Sequence, residues 1–191
     1  MPVLPSALCL SLDTELLSNL EPPLLAPPPL WRELLGRADQ KKMIAVHAIF
    51  THLAFGECAP ALVVDTEPLL VAVFSEKLDA VVVLRFDDEV LCAKEIEVGA
   101  RLLGIIQHDS DIAAADLLES TMLNRNTGWT NFKPLIADFL SRDVLLIAKS
   151  VLELPSSSWT RCEELSQDFM NKGAIPRDGR PSFSGISRGQ K

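Results

Sequence analysis

Three histidines, His47, His52 and His108, are the scarcest groups in the chain able to move a proton or bind a metal. His47 and His52 stand five residues apart, which on one helix turns them about 140° from each other. They cannot share a metal ion or relay one proton, and no HxxxH zinc pair occurs. His47 reads as a histidine at the border of an apolar stripe, His52 as one on the wet face. His108 precedes Asp109, Ser110 and Asp111, so an acid stands ready to orient an imidazole base. The plainer role of Ser110 and its flanking acids is to cap the next helix.

Cys9, Cys58, Cys92 and Cys162 contain no CxxC pair. Their spacing fits neither a zinc ribbon nor a small disulfide scaffold, and reads as free thiols in a reducing cytoplasm. None falls beside a histidine or at a helix N-terminus, where a thiolate would be activated. There is no GxSxG elbow, no GxGxxG and no phosphate loop. The consecutive acids Asp87, Asp88 and Glu89 lack the converging oxygens of a cation site and read as a helix start. No cofactor and no metal is expected.

One segment concentrates binding chemistry: Asn124 to Lys133, with five neutral hydrogen-bonding side chains, two cations, Gly128 and two aromatics. Arg125 suits an anion, Trp129 an apolar or ring surface, and Asn126 and Asn131 the orientation of a ligand. Arg125, Asn126, Trp129 and Asn131, joined by His108, form the candidate ligand- or partner-binding set. In the bland alternative Asn131 caps the following helix, while Trp129 and Phe132 anchor the loop to the core.

These groups need a scaffold. DQKKMIAVHAIFTHLAF, Asp39 to Phe55, predicts a helix with Met43, Val46, Ile49, Phe50, Leu53 and Ala54 on one face. ALVVD (61–65), LLVAVFS (69–75) and DAVVVLRF (79–86) are short apolar runs with breaks too short for a parallel crossover, hence antiparallel strands. The second and third are apolar at nearly every position, so both faces should be covered, one by helix 39–55 and the other by a second helical layer or a partner subunit. A short helix over Asp87–Ile96, a fourth strand over Ala100–Gln107 and a helix from Ser110 to Met122 follow. Residues 134–152 read as helical with a break at Ser141 and Arg142, and a last helix starts at Ser158 and closes at Gly173. The expected class is α+β: one domain over 39–171, order α-βββ-α-β-ααα, with an antiparallel sheet of about four strands.

Seven of the 13 prolines fall in residues 1–38. The run EPPLLAPPPLW breaks helix and sheet alike and reads as a polyproline-type arm. Residues 172–191 set five cations against Asp178 alone and read as a disordered basic tail.

The whole chain has 191 residues, 48% hydrophobic, with 18 Lys and Arg against 26 Asp and Glu, a net charge of −8. That acid surplus argues against nucleic acid or anionic lipid as partner, and 6% aromatics with no Tyr argue against a base-stacking platform. No apolar run approaches the ~18–20 residues of a membrane span, and the N-terminus lacks a basic leader, so a cytoplasmic location is expected. With every common catalytic signature missing, the expectation is a non-enzymatic protein-interaction or regulatory module. Its partner would be a protein, a homodimer being one form of that pairing. The alternative is a small-molecule-binding sensor or enzyme using the 124–133 loop with His108.

Overall fold

The structure, a computed structural model, describes residues 10–25, 37–87, 96–108 and 132–181. Its class is mixed α+β. Helices α1 (Thr14–Leu20), α2 (Pro22–Leu25) and α3 (Arg37–Phe55) precede strands β1 (Glu57–Thr66), β2 (Leu69–Ser75), β3 (Ala80–Phe86), β4 (Arg101–His108) and β5 (Phe132–Ile136). A 3-10 turn at Ala137–Phe139, helices α4 (Val144–Glu153) and α5 (Ser156–Asn171), and the two-residue strand β6 (Arg177–Asp178) complete the order. No helix among the described residues is long and apolar enough to cross a membrane.

The three central strands form the expected antiparallel meander, with Val73 opposite Ala61 on one side and Val82 on the other. The sheet is wider than about four strands. Its order is β5-β4-β1-β2-β3-β6, antiparallel except for β6, which runs parallel to β3. Strand β1 begins at Glu57 rather than Ala61 because β4 gives its first half a partner, from Glu57↔Ile106 to Leu62↔Arg101. Pro60 hid this extension. It is tolerated because the ladder to β2 starts only at Ala61, so the missing N–H falls where β1 has one neighbour.

Both faces of the meander are covered, as continuous apolar runs require. Val71, Val73, Val82, Leu84 and Phe86 join a core with Leu17, Ile49, Leu53, Leu103 and Leu140. Leu70, Ala72, Phe74, Val81 and Val83 pack instead with Cys162, Leu165 and Phe169 of α5. The second helical layer is therefore α5.

The sheet curls on itself. Phe86, near one margin, meets Phe139, beyond β5 at the other, edge to face at 5.0 Å. Small residues in the hollow allow the bend. A Cβ on Gly104 would lie 2.8 Å from Val73 Cγ1 and 3.1 Å from the Ala59 carbonyl.

Residues 134–140 correct the helix expected there. Pro134, Leu135 and Ile136 belong to β5, with Gly104 opposite Ile136, and the 3-10 turn follows. A short apolar run fits helix or strand alike; the edge of β4, which tolerates proline in its neighbour, decides for strand. The buried face of α3 is also turned from the expected one. Ile49, Leu53 and Ala54 are buried, but Met43 is 71% and Phe50 44% exposed. His52 lies inside and His47 outside, the reverse of the expectation.

Over residues 22–25 the chain is helical, not polyproline, since prolines fit a first helical turn. The Asp13 side chain caps α1 by accepting from the Glu15 and Leu16 N–H groups, and Leu10, Leu17, Leu20 and Leu24 are buried. Arg177–Asp178 is strand rather than loose tail. The expected helix over Ser110–Met122, and all of 88–95, lie outside the described residues.

Candidate functional site

Of the predicted binding set, Arg125, Asn126, Trp129 and Asn131 lie outside the described residues, and His108 lies within them. His108 is the last residue of β4 and pairs with Phe132, the first of β5. Its side chain closes one end of the hollow. Nε2 lies 2.9 Å from Ser75 Oγ at the end of β2, and Nδ1 lies 3.5 Å from Glu57 Oε2 at the start of β1. Three strands that are remote in sequence are thereby tied together.

The His108 side chain is 8% exposed. Burial holds its pKa below the ordinary histidine value; Glu57 pulls it upward and Lys77 pushes it down again. The imidazole is neutral at pH 7, and the carboxylate of Glu57 favours the tautomer with its proton on Nδ1. In that tautomer Nε2 is the acceptor for the Ser75 hydroxyl, and in the other it is the donor. An acid, an imidazole and a serine in this order resemble the relay of a serine nucleophile. Ser75 is 0% exposed, however, so no acyl donor reaches its oxygen. Among the described residues Glu57 is an acid beside His108 that sequence neighbourhood could not reveal; Asp109 and Asp111 are outside the described residues.

A cleft of about 380 Å³ opens elsewhere, where the end of α1 meets the end of β3 and β6. Asn19, Leu20, Arg85, Phe86, Asp87 and Arg180 are among its lining. The Gly179 N–H donates to the Arg85 carbonyl at 2.8 Å, holding the C-terminal segment against β3. Glycine is required there, because a Cβ would lie 2.4 Å from the Phe86 ring. Arg180 pairs with Asp178 through Nη2–Oδ2 at 2.6 Å and Nε at 3.0 Å. Burial alone would raise the Asp178 pKa, but the hydrogen bonds from Arg180 outweigh it and hold that carboxyl below its usual value. Arg85 is exposed, and its guanidinium has no carboxylate partner among the described residues. Sequence reasoning missed this cleft, since it forms only where residues 19–22 and 176–180, remote in sequence, come together beside the end of β3.

The two described cysteines are not activated. Burial pushes the Cys162 thiol up to about 12, and it also raises Cys58, where Glu153 adds to the effect. No group of His, Cys, Asp and Glu able to hold a metal ion occurs among the described residues.

Two helices keep apolar side chains in water. On α3, Met43, Ile44 and Phe55 are 71%, 61% and 67% exposed. On α4, Val144, Leu145 and Leu152 are 67%, 88% and 85% exposed, while Ile147 is buried. The α4 sequence VLLIAKSVLE carried the signal: it has more apolar residues than one buried stripe can use. Comparison of the chain with known protein families, curated proteins and solved structures gives no match.

Proposed function

We propose that this chain is a non-enzymatic protein-interaction or regulatory module, and that its partner, a protein, docks on the outer apolar surfaces of α3 and α4. The observation that supports this reading most strongly is the exposure of Leu145 and Leu152. They stand seven residues apart on one side of α4, the spacing of helix-in-groove anchors. Burying an exposed leucine is worth about 1.5–3 kcal/mol, so a partner that covers both gains substantial free energy. The acid surplus of the chain disfavours nucleic acid or an anionic membrane as that partner.

The double variant Leu145→Glu, Leu152→Glu tests the reading. Both side chains face water, so folding stability should shift by no more than about 0.5 kcal/mol per site. Association should be lost, measured by light scattering after size exclusion for a second copy of the chain and by co-purification for a different one. An unchanged complex would overturn the reading. The second reading is a small-molecule sensor or enzyme built on His108 with Arg125, Asn126, Trp129 and Asn131. The neutral imidazole of His108 favours it, and the burial of Ser75 removes the serine-nucleophile version.

A further inference from the structure

We infer that the end of β3, with the end of α1 beside it, is a docking site for an extended basic peptide of another protein, and that residues 177–181 of this chain are its tethered occupant. The seated segment shows what the site reads. Its backbone joins the sheet, with Arg177 opposite Leu84 and Asp178 opposite Arg85, and the Gly179 N–H donates to the Arg85 carbonyl at 2.8 Å. Adding an extended segment to a sheet edge is a recurring mode of peptide recognition: the ladder gives affinity and side-chain pockets give specificity. Two features supply specificity here. Gly179 lies against the Phe86 ring, which a Cβ at that position would approach to 2.4 Å. Arg180 follows, and both Asp87 and Glu21 face its guanidinium.

Seat and segment have complementary charge. Around the segment, Glu21 and Asp87 stand against Arg85; within it, Arg177 and Arg180 stand against Asp178. The seat therefore has one acid in excess and the segment one cation. The hold is slight. Two residue pairs join β6 to β3, and residues 172–175, which lead into it, are all exposed. A short tether presents its segment at an effective concentration of about a millimolar. A partner that binds more tightly than the segment, or that is present near that concentration, displaces it without opening the core. None of this involves the outer surfaces of α3 and α4, so either inference can fail without the other.

Hydrogen exchange on the isotope-labelled full chain, with and without the unlabelled peptide AIPRDGRP (residues 174–181), tests it. In the chain alone, the Gly179 amide should exchange about a hundredfold or more faster than that of Val73 in the central strand, because the segment opens without global unfolding. Millimolar peptide should take the segment's place and speed Gly179 exchange about threefold or more, with Val73 unchanged. Peptides carrying Gly179→Val or Arg180→Glu should need about tenfold or more concentration, the first through the Phe86 ring and the second through like charge beside Asp87 and Glu21. The full-length Gly179→Val chain, whose own segment the ring expels, should bind AIPRDGRP at lower concentration than the parent chain. Gly179 exchange as slow as that of Val73, or no acceleration by the peptide, would overturn the inference. So would equal acceleration by the Gly179→Val peptide. A dimer formed by exchange of the segment between copies, seen by light scattering, would make a second copy the occupant and overturn the assignment to another protein.

Discussion

Glu57, Ser75 and His108 come from three strands and meet at one end of the hollow, and this cluster carries a pH dependence. Burial lowers the folded pKa of His108 relative to the unfolded value near 6.5. The unfolded chain therefore binds its proton first as pH falls. The stabilising contribution of the neutral ring is complete above about pH 6.5 and is lost as pH drops through the folded value. Urea unfolding at neutral pH and near pH 5 should show lower stability in acid, and His108→Gln should flatten that slope relative to the parent chain. Identical slopes would contradict the account. His108 was legible as a group of interest from its rarity and its place at a strand end. Its contacts with Glu57 and Ser75 were not, because these residues reach it through strand pairing and curl.

At the scale of elements, legibility followed the source of order. Strands β2, β3 and β4 were read within about a residue because short apolar runs bounded by turns specify themselves. Elements ordered by a neighbour were missed. Strand β5 needs the edge of β4, β6 needs that of β3, and α1 needs the core beneath Leu17. Helix α1 follows a capping aspartate and holds a fully buried leucine, yet it sits in a region whose prolines suggested an untidy arm. Leu17→Ala should therefore cost about 2–5 kcal/mol of stability, the range for a buried leucine that leaves a cavity. Chemical denaturation measures this directly. A cost under about 0.5 kcal/mol would mean that α1 is not part of the folding core.

At the scale of the whole molecule, two covered faces followed from strand composition alone, and α5 supplies the second layer. The curl did not follow, since it depends on Gly104, Ala59 and Ala61 sharing one hollow across paired strands. Nor did the misplaced helix face, because α3 is apolar on more than one side and periodicity cannot choose between stripes: Ile49 and Leu53 are buried, while Met43, Ile44 and Phe50 are exposed. The surplus apolar surface of α3 and α4 is what the proposed partner would cover. The most direct test places a photo-crosslinking amino acid at Leu145 on α4 and, as control, at exposed Glu163 on α5. Irradiation in cells should give a discrete adduct with one protein from position 145, lost when Leu152→Glu is added, and none from position 163. No adduct at 145, or the same adducts from both positions, would contradict the account.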